Sequence, residues 1–93
     1  MREKELEHKF SLMVKKNGGL ALKFVSPGMS GMPDRIALFP KGHLAFVEVK
    51  APGEVPRPLQ YARHRMLQDL GFSVFILDRQ EQIGGIINEI RAS

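Results

Sequence analysis

The stretch Gly31-Met32-Pro33-Asp34-Arg35-Ile36-Ala37-Leu38-Phe39-Pro40-Lys41-Gly42-His43-Leu44-Ala45-Phe46-Val47-Glu48-Val49-Lys50 decides the fold. Asp34 to Phe39 and His43 to Lys50 read as strands, and Pro40-Lys41-Gly42 between them is a turn, so the two strands form a β-hairpin. Side chains alternate along a strand, which places Ala45, Val47 and Val49 on one face and Leu44, Phe46, Glu48 and Lys50 on the other. Pairing the strands brings Asp34, which opens the first, near Glu48, fourteen residues later. Two carboxylates then converge with an ammonium group beside them.

Working outward, Leu6, Phe10, Met13 and Val14 recur at helical spacing between Glu3 and Asn17, and Gly18-Gly19 follows where a helix ends. Leu20 to Val25 reads as a short strand, and Ser26 to Pro33 as a loop dense in Pro, Gly and Ser. Downstream, Ala51 to Pro58 holds three prolines and is a loop, and Leu59 to Leu70 is a helix ended by Gly71. Phe72 to Leu77 is almost purely apolar, as a strand covered on both faces would be. Asp78 to Arg91 is helical through Ile83, Ile86, Ile87 and Ile90. The order αβββαβα predicts an α/β fold with one mixed sheet flanked by helices.

The chain has 93 residues, 43% of them hydrophobic and 26% charged, with no internal repeat or linker, so residues 1–93 are expected to form a single domain. Absence of cysteine excludes a disulfide framework and any thiolate zinc site, and favours a reducing, cytoplasmic setting. No run approaches the roughly 18 apolar residues of a membrane span, and the charged start Met1-Arg2-Glu3-Lys4-Glu5 is unlike a signal peptide. A net charge of +4 suits a polyanion partner, although a solvated basic face gives the same number.

Gathered oxygen ligands of the Asp34 and Glu48 type suit Mg²⁺ or Mn²⁺, and a neighbouring ammonium such as Lys50 can hold an attacking water and offset charge on phosphorus. This is equipment for phosphodiester hydrolysis. A second E-x-K, Glu7-His8-Lys9, lies in a helix, where residues i and i+2 do not share a face. His8, His43 and His64 lack ligand spacing and read as surface histidines. Lys15, Lys16, Lys23, Arg35, Lys41, Arg57, Arg63 and Arg65 supply basic surface, with Lys23 and Arg57 flanking the carboxylates in sequence and best placed to meet phosphates.

With these residues in view, the chain resembles the PD-(D/E)xK nucleases, and within them the stand-alone VRR-NUC domains of phages and prophages. The likeness spans nearly the whole chain, through Gly18-Gly19, Lys23, Gly31-Met32-Pro33-Asp34-Arg35, Phe46-Val47-Glu48-Val49-Lys50, Gln60 and Leu70-Gly71. It implies a restriction-endonuclease-like fold. It further implies Asp34 and Glu48 as metal ligands, the Val49 carbonyl as another, Lys50 as catalytic lysine and Gln60 as a supporting motif residue. A helix-one glutamate is also implied: Glu7, three and seven residues before the apolar Phe10 and Val14, with Glu3, one turn earlier on the same stripe, as second choice.

The activity so implied is a Mg²⁺- or Mn²⁺-dependent endodeoxyribonuclease acting on branched DNA in a bacterial host, resolving four-way junctions as a homodimer. Flap cutting on the same fold is the alternative substrate preference. A non-cleaving nucleic-acid binding module is the rival from another class. Ile83, Ile86, Ile87 and Ile90 would serve either as the dimer surface or as the domain's own core.

Overall fold

A computed structural model describes residues 1–93. In chain order the elements are α1 (Glu3–Lys16), β1 (Leu20–Lys23), β2 (Arg35–Phe39), β3 (His43–Val49), α2 (Pro58–Asp69), β4 (Ser73–Leu77) and α3 (Ile83–Ala92). Single 3₁₀ turns at Pro40–Gly42 and Gln80–Gln82 precede β3 and α3. The expected αβββαβα order is therefore the observed one, with shifts of a few residues at element ends. The four strands lie in sequence order across one sheet, β1 to β3 antiparallel and β4 parallel to β3. A parallel neighbour needs a crossover, and α2 supplies it.

One face of the sheet is closed by α1 and α3. Leu6, Phe10 and Val14 recur on one stripe of α1 and meet Ala37, Ala45, Val47, Val49 and Leu77 of the sheet and Ile83, Ile86, Ile87 and Ile90 of α3 in one cluster of buried side chains. The isoleucine stripe is thus the monomer's own core, which rules it out as a dimer surface. Small residues aligned across the strands, Ala21 opposite Ala37 and Ala37 opposite Ala45, leave room for the helices above them. Gly19 belongs to the same fit: a Cβ there would stand 2.6 Å from both the Leu38 carbonyl oxygen and the Phe39 ring.

The other face is only partly covered. Phe24, Phe46 and Phe72 form a row of tilted and edge-to-face rings across it, with ring centroids 5.7 and 5.8 Å apart, and α2 lies over one end through His64 and Leu67. Leu20 and Leu22 on edge strand β1 remain 52% and 43% exposed, and Phe72 43%. Helices α2 and α3 reach β4 from its two faces, as the apolar run predicts, but Phe72 just before it stays exposed. β4 is an edge strand with a neighbour on one side only, and Leu77 alone of its residues is fully buried.

Candidate active site

Asp34 precedes β2 at the end of the sheet where β3 finishes and α1 begins. Its carbonyl accepts the Phe24 N–H at 2.8 Å, and its side-chain Oδ2 accepts the Val49 N–H at 2.9 Å, so both strands flanking β2 are tied to this one residue. Glu48 lies one residue earlier on β3. Antiparallel register, with Arg35 opposite Val47, brings the two carboxyl groups into hydrogen-bond contact. Lys50 continues past β3, its N–H donating to the Leu77 carbonyl at 2.9 Å and its Nζ standing 3.9 Å from Glu48 Oε2.

Glu48 is the hub of the site and is only 1% exposed. Helix α2 addresses it from above: Gln60 Nε2 donates to Oε2 at 3.1 Å, and His64 Nε2 lies 3.3 Å from Oε1. The Gln60 amide is oriented by a second duty, because its Oε1 accepts the Arg57 N–H at 2.8 Å and so caps the first turn of α2. Burial above all, then the hydrogen bond and the like charge of Asp34, push the Glu48 carboxyl up to about 8, against the opposing pull of Lys50. Burial, helped by Lys50, lowers the His64 imidazole pKa, while Asp34 works in the other direction.

Helix one brings a further acid to this end. Partial burial and the charge of Asp34 raise the Glu3 carboxyl, with Lys50 opposing, which places Glu3 in the field of the cluster. Glu7 is held elsewhere, its Oε2 taking Arg35 Nη2 at 3.0 Å. Glu3, Glu7, Phe10 and Val14 share one stripe of α1, so sequence spacing alone does not separate the two acids; the Arg35 counter-charge does. Arg35 is accordingly a half-buried ion-pair residue and no part of the basic surface expected of it. The reading of His64 as a surface histidine is also overturned, since it is 4% exposed and packed on Glu48. Its signal was present in the spacing, because His64 follows Gln60 by one helical turn and must lie over the same strand.

Lys23 and Arg57 both have exposed side chains at this end, Lys23 opposite Arg35 where β1 finishes and Arg57 at the start of α2. Between them runs the 26–33 loop, pinned by Arg63 Nε donating to the Ser30 carbonyl at 2.9 Å. Gly31 of that loop has φ +85° and stands so close to α2 that a Cβ would fall 2.9 Å from the Leu59 side chain, so any other residue would be strained there.

No group of three His, Cys, Asp or Glu converges tightly enough to form a complete cation cage. The donor set nevertheless fits a hard divalent cation. Two carboxylates share a desolvated site whose one nearby ammonium leaves Glu48 holding its proton, and Mg²⁺ characteristically uses one or two carboxylates and keeps several waters. All the protein donors are oxygens.

The fold is that of the restriction-endonuclease-like class, a four-stranded mixed sheet with helices on both sides. No protein-family model matches the chain. It is 48% identical over 81 residues to "Putative nuclease p44" of Acyrthosiphon pisum secondary endosymbiont phage 1, covering 87% of each chain. A solved structure described as a VRR_NUC domain superposes with a TM-score of 0.86 at 30% identity, over 92% of this chain and 94% of that one. The chain belongs to the VRR-NUC family of PD-(D/E)xK nucleases.

Proposed function

We propose that the protein is a Mg²⁺- or Mn²⁺-dependent endodeoxyribonuclease that cuts branched DNA, four-way junctions in particular, as a homodimer. The observation that carries this reading is the convergence of half-buried Asp34 on buried Glu48, whose carboxyl is pushed up to about 8 despite the nearby Lys50. Asp34, Glu48 and the Val49 carbonyl would hold the cation, with Glu3 as the helix-one acid. When bound, the cation supplies Lewis-acid polarisation of the phosphoryl oxygens and lowers the pKa of water.

The chain's own groups do the rest. Lys50, on the same strand face as Glu48, orients the attacking water and offsets charge that builds on the phosphate in the transition state. Gln60 holds the Glu48 carboxylate through Oε2. Lys23 and Arg57, flanking this end of the sheet, bind the phosphates on either side and keep the strand in register with the acids. A homodimer would present two sites to the two equivalent strands of a junction. Its apolar contact would use the half-exposed Leu20, Leu22 and Phe72 of the open sheet face.

Incubation with four-way junction, flap, duplex and single-stranded DNA in Mg²⁺, Mn²⁺ or EDTA tests the reading. The expected result is paired symmetric nicks in the junction, lost in EDTA. Salt-sensitive binding without metal-dependent cleavage of any substrate would establish the non-cleaving module instead, and preferential flap cutting would transfer the substrate to flaps.

A further inference from the structure

His64 is the one buried titratable side chain with no part in the mechanism above, and its position on Glu48 calls for an account. Gln60 and His64 are four residues apart on α2, so both point from one stripe of the helix toward β3. They divide the Glu48 carboxylate between them, Gln60 Nε2 at 3.1 Å from Oε2 and His64 Nε2 at 3.3 Å from Oε1. The imidazole is itself confined, with the Tyr61 ring edge-on to it at a centroid distance of 6.1 Å.

The tautomer follows from what each nitrogen meets. Glu48 Oε1 is the protein partner of Nε2, while Nδ1 makes no protein hydrogen bond. Arg35 Nε is the only buried side-chain polar atom left without a partner, so Nδ1, which has no protein partner, is open to solvent. A carboxylate that serves a cation is ionised and can only accept, so the hydrogen sits on Nε2.

We infer that His64 is a positioning residue for the nuclease reaction: its Nε2–H on Oε1, together with Gln60 on Oε2, locks the Glu48 carboxylate in the orientation that faces Asp34. A carboxylate held by one donor can swing about its last torsion; held through both oxygens from one helix, it cannot turn without breaking both bonds. Outer partners of this kind typically change metal affinity by about 10- to 100-fold when removed. The inference rests on the proposed role of Glu48 in binding the cation.

Mn²⁺ binding to the DNA-free protein, measured by titration calorimetry, is the primary test, with cleavage as a function of Mg²⁺ concentration beside it. His64→Leu, which keeps bulk and removes the donor, should weaken Mn²⁺ binding by about 10-fold or more and raise the half-saturating Mg²⁺ concentration for cleavage in step. His64→Gln, which restores an N–H donor, should recover most of both. Wild-type Mn²⁺ affinity and Mg²⁺ dependence in His64→Leu would overturn the assignment.

Glu48→Gln separates the two levels of inference. If Glu48→Gln loses Mn²⁺ binding while His64→Leu retains it, positioning by His64 alone is wrong; if Glu48→Gln binds as wild type, the cation role of Glu48 falls and takes the His64 inference with it. A readout independent of variant folding is the ¹⁵N spectrum of the wild-type imidazole with Mg²⁺ present. A protonated Nε2 and bare Nδ1 are expected, and the opposite tautomer would refute the hydrogen bond.

Discussion

The two faces of this sheet are built from the same four strands and do opposite things. The face under α1 and α3 is dry and filled with aliphatic and aromatic side chains, and its one internal ion pair, Glu7 with Arg35, lies at the rim. The face under α2 carries a buried carboxylate, a buried histidine and leucines that remain half-exposed. Stability is concentrated on the first face, and that concentration lets the second hold charges whose burial opposes folding. Substitutions on the two faces should therefore have opposite signatures.

Glu48→Ala or Asp34→Ala should give the largest change, lowering single-turnover cleavage by about a thousandfold or more while far-UV circular dichroism stays native. In metal-free buffer the melting temperature of Glu48→Ala should hold or rise, because a pair of converging acids has been relieved, whereas Asp34→Ala also loses the acceptor of the Val49 N–H and should gain less. On the dry face Phe10→Ala should do the reverse, costing about 3–5 kcal/mol of stability by denaturant unfolding and reducing cleavage only in proportion to the unfolded fraction. If Phe10→Ala instead lowered activity in fully folded protein, the division between the faces would be wrong.

Lys50→Ala should follow, reducing kcat by about a hundredfold with little change in KM or in metal affinity. An effect confined to KM would make Lys50 a phosphate contact.

Smaller again is the pH response of the metal-free protein. Between the ordinary glutamate value of 4.5 and about 8, folded Glu48 keeps a proton that the unfolded chain releases. Its contribution to stability is complete below the lower value and is lost as pH rises through the upper one. His64, whose folded pKa is lowered, contributes in the opposite sense as pH falls. Comparing melting temperatures of wild type and Glu48→Gln from about pH 5 to about pH 9 isolates the glutamate: the decline toward high pH should be steeper in wild type. Identical slopes would mean that Glu48 ionises normally.

The finest comparison lies within α1. Glu3→Gln should reduce cleavage and weaken Mn²⁺ binding, whereas Glu7→Gln should cost about 1 kcal/mol or less through loss of the Arg35 pair and leave Mn²⁺ affinity near wild type. The reverse pattern would return the helix-one role to Glu7.

Legibility from sequence followed the same division. The dry face was readable because helical periodicity at Leu6, Phe10 and Val14 and strand alternation at Ala45, Val47 and Val49 each point to a buried stripe. Those patterns also put Asp34 beside Glu48, since the hairpin turn sets the register. The half-covered face was harder. An apolar run such as Phe72–Leu77 looks the same at a sheet edge as at its centre, because hydrophobicity does not encode the number of neighbours. His64 does not stand out by local ligand spacing, because its partner Glu48 lies sixteen residues away on a strand. Glu3 and Glu7 occupy one helical stripe, and only the three-dimensional position of Arg35 tells them apart.

The bond from Val49 N–H to Asp34 Oδ2 has a consequence for quality control. It extends the β2–β3 pairing by one rung made from a side chain, so the meeting of the two acids depends on the same alignment that the backbone pairs from Arg35–Val47 to Phe39–His43 set. A slip of one residue between these strands would turn Glu48 toward α1 and carry Val49 away from Asp34. A misaligned molecule would have no diminished version of the site, only its absence. Cleavage per folded molecule is in this sense a digital count of hairpins aligned correctly, and a preparation with mixed alignments would show fewer active molecules, each working at full speed.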